Sequence, residues 1–307
     1  MKPNFFMVGA PRCGTTSLYE ALRQHPSIFM PDTKEPHFFS KDLQDPVFYM
    51  TLEKYLSLFL DVSNAERIGE ASTYYLYSKV AASEIKSFCP DAKIMIMLRN
   101  PVDMMYSLYA QSYYYWSNIY QGHEDIADFG QALAAEEERK QGRRLPKDTP
   151  NNVCVWYHLY YRDLARYTNQ VKRYLDTFGQ ANTRIILFDD MKRDFPRVFR
   201  NTCAFLDVEI GFVPEYRRMN GHTQIRSRFV QAALRALPSR YIYSTRLIAG
   251  RIFGQRRVQI LLQVLRKPVA PPPIDPALRQ RLLHEFKPEI DSLSTLIERD
   301  LGAWHEV

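Results

Sequence analysis

A short apolar run, Phe5 to Val8, stops at Gly9 and opens into Ala10-Pro11-Arg12-Cys13-Gly14-Thr15-Thr16-Ser17, after which Leu18, Ala21 and Leu22 share one helical face. A buried strand that turns through glycines straight into a helix commits the chain to α/β architecture, because each side of that junction needs its own packing partner. The same turn aims backbone N–H groups at whatever lies beyond the strand, which makes it a cradle for an anion. Gly9 and Gly14 have the spacing of the two P-loop glycines, yet the pattern then requires Lys-Ser/Thr, and Thr15-Thr16 stands there instead. Arg12 is the one cation inside the loop. Arg12, Cys13, Gly14, Thr15, Thr16 and Ser17 are thus candidate anion-binding residues. A purely structural glycine turn is the alternative. Cys13 reads as a small filler, since no His or carboxylate stands beside it in sequence to make a nucleophile.

The alternation continues along the chain. Lys93 to Leu98 (KIMIML) and Arg184 to Phe188 (RIILF) read as buried strands, and Ile68 to Glu70 as a strand end. Helices are expected over 15–24, 52–60, around Val80–Ile85, after Pro101 with Asn100 as N-cap, over 157–178, over 196–206 and from about Pro276 to Leu301. The segment from Ile28 to Ser40 reads as a loop, Glu136 to Lys147 as a solvent-exposed charged stretch, and Val269 to Asp275 as an extended proline-rich connector. This pattern predicts a P-loop-like central parallel sheet flanked by helices on both faces. With 307 residues, a single domain suffices, carrying a helical C-terminal extension from about 226.

The formal net charge of +7 suits anionic ligands without choosing among them. Cys13, Cys89, Cys154 and Cys203 form no C-x-x-C pair, and no His/Cys cluster has zinc spacing. Free thiols and an N-terminus without a signal-peptide pattern predict a cytoplasmic protein.

A second anion site is expected where KIMIML ends. Arg99 follows that strand and Ser107 lies on the next helix. Ligands of parallel α/β sheets bind beyond the carboxyl ends of strands, so the Arg12 loop and Arg99 converge if their strands are neighbours. A planar guanidinium suits bidentate phosphate recognition. The alternative is an Arg99–Asp103 ion pair at the helix start.

Taken together, GAPRCGTTSL and LRNPVDMMYSLY resemble the two cofactor signatures of the 3′-phosphoadenylyl-sulfate (PAPS)-dependent sulfotransferases. KEPHFF, from Lys34 to Phe39, resembles the heparan-sulfate sulfotransferase branch and its bacterial relatives. The likeness extends from residue 5 to about 208. It implies that residues 12–17 hold the 5′-phosphosulfate, that Arg99 and Ser107 hold the 3′-phosphate, and that Glu35 is the catalytic base. Arg226 and Arg228 would belong to a basic loop closing over the nucleotide. It implies PAPS as donor, PAP as product, and no metal. Two positions depart from the pattern: Arg12 stands where the family usually has lysine, and Ala71 where some heparan enzymes have a second lysine.

By the same resemblance, Glu35 would deprotonate the acceptor while Arg12 and the loop amides stabilise the leaving phosphate. His37 as base, oriented by Glu35, is the fallback, and a Glu35 salt bridge with Lys34 or Lys41 is the structural alternative. The expected partner is a small-molecule or glycan acceptor rather than nucleic acid. Arg226 to Lys267 interleaves cations with Phe229, Tyr241, Tyr243 and Phe253, which allows peripheral membrane contact. The competing functions are a P-loop kinase or NTPase, and a basic nucleic-acid or membrane-surface binding protein. Finally, Tyr106 to Tyr120 is dense in rings. Tyr106, Tyr109, Tyr113 and Tyr120 fit a packed stripe, whereas Tyr114, Tyr115 and Trp116 are candidates to line the acceptor pocket.

Overall fold

The computed structural model describes residues 1–43, 50–62, 64–114, 124–146, 156–215, 223–225, 266–268 and 271–306. Its centre is a five-stranded sheet of β1 (Phe5–Gly9), β2 (Ile28–Phe29), β3 (Arg67–Ala71), β4 (Lys93–Leu98) and β5 (Thr183–Leu187). The spatial order is β2-β3-β1-β4-β5 and every pairing is parallel. All of β1 is buried, as are the last five residues of β4. Continuous apolar strands of this kind need cover on both faces, which the intervening helices supply.

The described helices are α1 (Thr15–Leu22), α2 (Leu52–Leu56), α3 (Ala81–Phe88), α4 (Pro101–Tyr114), α5 (Phe129–Ala134), α6 (Glu136–Lys140), α7 (Tyr161–Ala165), α8 (Tyr167–Phe178), α9 (Phe188–Arg193), α10 (Phe195–Phe205) and α11 (Pro276–Leu296). Among the described residues no helix is long and apolar enough to cross a membrane. The chain separates into two compact units. One comprises 1–105, 163–219 and 276–307, and holds the sheet; the other comprises 106–162 and 220–275. In the second unit β6 (Thr223–Ile225) and β7 (Arg266–Pro268) pair antiparallel.

Several local expectations are corrected. Ile28–Phe29, expected in a loop, adds an edge strand by pairing with Arg67 and Ile68. The aromatic stretch 157–178 is not one helix. It breaks at Arg166, whose backbone (φ −82, ψ 80) leaves the helical region. The break is stabilised from outside, because Glu289 of α11 accepts the Thr168 N–H and hydroxyl at 2.7 Å each. Phe188 opens a helix instead of ending a strand. The charged stretch from Glu136 is not all exposed: Glu136 and Arg139 are buried. Arg139 makes a two-pronged ion pair with Glu124 at 2.6 and 2.8 Å, and the Tyr161 hydroxyl donates to the same carboxylate at 2.8 Å. Charges this deep persist only when their hydrogen bonds are met. Asn100 does cap α4, accepting the Val102 N–H at 2.9 Å, and its amide also donates to the Trp304 carbonyl at 2.9 Å.

Candidate active site

The strand order fixes where a ligand sits. After β3 has been laid on one side of β1, the chain crosses to put β4 on the other side. The crevice between the carboxyl ends of β1 and β4 is therefore the topological switch point, the usual ligand position in open parallel sheets. The condition for convergence of the two predicted anion sites is met, since Met7 pairs with Met95 and Gly9 with Ile96. The Ala10 N–H donates to the Met97 carbonyl at 2.6 Å, which fastens the start of the loop to β4.

Both loop glycines are required by geometry. Gly9 has φ 149, and a Cβ there would lie 2.5 Å from the Thr73 carbonyl oxygen. Gly14 has φ 87, begins α1, and a Cβ would meet the Phe188 ring at 2.9 Å. Arg12 adopts φ 62 between them, a left-handed conformation that is uncommon for a non-glycine residue. Thr15 and Ser17 are buried in the first turn of α1, and the Ser17 and Leu18 N–H groups donate to the Gly14 carbonyl at 3.1 and 3.3 Å. Cys13 fills space as expected. Burial pushes its thiol up to about 12, so it stays protonated.

The electrostatics single out two arginines. Burial, reinforced by the neighbouring Arg99 charge, pulls the Arg12 guanidinium down to about 10, while Tyr74 and Glu35 act in the opposite sense. Arg12 thus lies within electrostatic reach of both Arg99 and Glu35. Two half-buried cations held near each other are unfavourable unless an anion joins them. Arg99 does contact Asp103, at 3.5 Å, and its guanidinium lies over the Phe188 ring at 5.0 Å. Asp103, however, is held more closely by Arg279 at 2.7 Å. The buried Arg99 Nε has no hydrogen-bond partner among the described residues. An orphaned guanidinium nitrogen beside a second, half-buried arginine fits a doubly phosphorylated nucleotide.

Glu35 and His37 both have left-handed backbones, φ 62 and φ 54. The other such residues include Asp207 and Glu298, which follow α10 and α11, an ordinary place for this conformation. The Glu35 N–H donates to the Ala71 carbonyl at 2.8 Å, so the loop runs along the end of β3. Lys34 donates to the Glu35 carboxylate at 2.7 Å and His37 Nε2 lies 3.5 Å from it, whereas Lys41 pairs with Glu84. Burial pushes the Glu35 carboxyl up, but Lys34 and His37 outweigh it and hold the group well below the usual carboxylate range. The group is ionised, as a base must be.

Sequence reasoning missed a second carboxylate. Glu70, at the end of β3, is fully buried and accepts from Ser72 at 2.6 Å, Tyr55 at 2.9 Å and Tyr75 at 3.0 Å. Burial drives it up to about 7, although the three hydroxyls favour its ionised form. The signal was a lone carboxylate in the strand Arg67–Ala71, followed by Ser72, Thr73, Tyr74 and Tyr75, all of them groups able to hold it.

The remaining candidates fall elsewhere. Ser107 is buried on the part of α4 that belongs to the second unit. There Tyr109 stacks on Tyr113 at 5.7 Å and meets the rings of Phe129 and Tyr161, so the described part of the stripe packs. Tyr114 meets Tyr113 edge-on at 4.8 Å. Tyr115, Trp116, Tyr120, Arg226, Arg228 and the basic aromatic segment that ends before Arg266 lie outside the described residues.

Comparison with known proteins agrees with this geometry. The family model described as "Sulfotransferase domain" matches residues 2–240. A sulfotransferase crystal structure from Alicyclobacillus acidocaldarius superposes with a TM-score of 0.71 at 32% identity, covering 100% of both chains. Carbohydrate sulfotransferase 15 of Rattus norvegicus is 32% identical over 149 residues, covering 35% of this chain and 27% of that protein. Bifunctional heparan sulfate N-deacetylase/N-sulfotransferase 4 of Mus musculus is 33% identical over 218 residues, covering 67% of this chain and 22% of that protein. The chain thus spans about a quarter of the length of these curated relatives.

Proposed function

Because the chain belongs to the sulfotransferase domain family, we propose that it moves the sulfuryl group of PAPS to a hydroxyl or amine of a carbohydrate, lipid or small-metabolite acceptor. The observation that carries this reading is the pairing of β1 with β4, which puts Arg12 and Arg99 on adjacent strand ends. When bound, PAPS supplies an activated sulfuryl group whose leaving group is the phosphate of PAP.

Arg12 and the first-turn amides of α1 hold negative charge where it develops on that phosphate, the preorganised stabilisation that group transfer chiefly requires. Arg99 accounts for selection of a 3′-phosphate. Glu35 takes the acceptor's proton, a contribution worth about 10²- to 10⁴-fold. His37 fits better as its neighbour than as the base, because it sits beside the Glu35 carboxylate at 3.5 Å. Similarity to a carbohydrate sulfotransferase and a heparan sulfate N-deacetylase/N-sulfotransferase favours a glycan among the acceptors. Cytoplasmic residence is also part of the proposal, supported by free Cys13, Cys89 and Cys203.

The test is Glu35→Gln, assayed with labelled PAPS across sugar, lipid and small amine or alcohol acceptors. Turnover should fall by about two to four orders of magnitude while PAP binds as in the parent. Near-parent turnover in this variant, with His37→Ala inactive, would transfer the base to His37.

A further inference from the structure

We infer that Glu70 is a positioning residue that holds the Glu35 loop in its reacting geometry through three separate ties. The inference rests on Glu35 being the base. One tie runs through Ser72: its hydroxyl donates to Glu70 Oε1 at 2.6 Å and accepts the His37 N–H at 3.0 Å. A second runs through Tyr75, which donates to Glu70 Oε2 at 3.0 Å and accepts the Phe39 N–H at 3.1 Å. The third is Tyr55, which donates to Glu70 Oε2 at 2.9 Å and stacks its ring on Phe38, with centroids 4.4 Å apart. Residues 37, 38 and 39 are thus each tied, by one intermediary, to a single carboxylate.

The chemistry explains why a carboxylate is needed. A hydroxyl that accepts a backbone N–H while donating its own proton needs an acceptor behind it. Ser72 and Tyr75 each do both, Tyr55 adds a third donor, and a carboxylate has lone pairs enough for all three. Glu70, Ser72, Tyr55 and Tyr75 are all fully buried, so no water competes for these bonds. The loop needs such restraint because Glu35 and His37 both sit in left-handed backbone, which persists only where the surroundings over-determine it. Glu70 itself touches neither reactant. Its effect reaches the reaction only through the placement of Glu35.

The experiment is a double-mutant cycle between Ser72→Ala and Glu35→Gln, read as kcat, acceptor KM, PAP affinity by calorimetry and melting temperature. Ser72→Ala should lower kcat by about 10- to 100-fold, the size expected when a reacting group is displaced by roughly 1 Å. PAP affinity should not change. In the Glu35→Gln background the same substitution should cost less than about 3-fold, because the group being positioned is gone. Tyr75→Phe repeats the test on the second tie, should Ser72→Ala not fold. Equal losses in both backgrounds, with Glu35→Gln itself strongly impaired, would overturn the positioning role and leave the base in place. An unimpaired Glu35→Gln would instead overturn the base assignment and this inference with it.

Discussion

Replacing Glu70 by glutamine should remove a pH dependence from the stability of the fold. The carboxyl is fully buried and moves from its ordinary 4.5 up to about 7. At about 1.4 kcal/mol per pH unit, the folded chain then holds this proton more tightly than the unfolded chain by about 3 kcal/mol. Between pH 4.5 and 7 the folded state keeps the proton that the unfolded state has lost, so stability falls as pH rises through that window and levels off above it. The groups facing Glu70 are Tyr55 from α2, Ser72 and Tyr75 from the turn after β3, and His37 from the loop. His37 is common to both proteins. Urea denaturation of parent and Glu70→Gln at steps from pH 4.5 to 8 isolates the carboxyl. The stability difference, variant minus parent, should rise by about 3 kcal/mol across the series. A difference that stays flat, or falls, would show that Glu70 ionises in the fold as readily as in water, and the desolvation argument would be wrong.

Arg99→Ala should erase most of the preference for PAP over 5′-AMP while leaving AMP affinity nearly intact; calorimetry with both nucleotides measures this. Lys34→Met should raise the proton affinity of Glu35 and so move the acid limb of the kcat/KM profile to higher pH, since the ionised carboxylate is the active form. Arg139→Met should lower stability by about 3–5 kcal/mol by stranding Glu124 in the interior, and adding Glu124→Leu should restore most of it. Gly14→Ala should cost about 1–3 kcal/mol in a thermal melt, because its Cβ meets the Phe188 ring at 2.9 Å and its φ is 87.

What the sequence revealed follows the range of the interactions involved. The Gly9–Ser17 junction, the strand Lys93–Leu98 and the Asn100 cap are local, set by residues within a few positions of each other, and each appears as expected. The convergence of Arg12 with Arg99 was legible as a condition on strand order, and the pairing of β1 with β4 meets it. Features stabilised from far along the chain were not legible. The break at Arg166 depends on Glu289, and the burial of Arg139 depends on Glu124 and Tyr161. Glu70 was overlooked for the same reason, since only the fold brings Tyr55 and Tyr75 to one carboxylate. The resemblance to a family supplied the chemistry of Glu35, which its flanking residues alone would have given to a surface ion pair with Lys34.

The all-parallel strand order also divides the sheet into a reacting rim and a plain one, which matters to anyone wishing to modify the molecule. The strand ends that carry Arg12, Glu70 and Arg99 open on one rim, and the turns that feed the strands lie on the other. The turn between α8 and β5 belongs to the plain rim. Gly179, Gln180 and Ala181 are exposed there, and a side chain at Gly179 would have nothing within 4 Å. A peptide tag, a fluorophore or a surface linker grafted at 180–181 would be carried on the rim opposite the reacting loops.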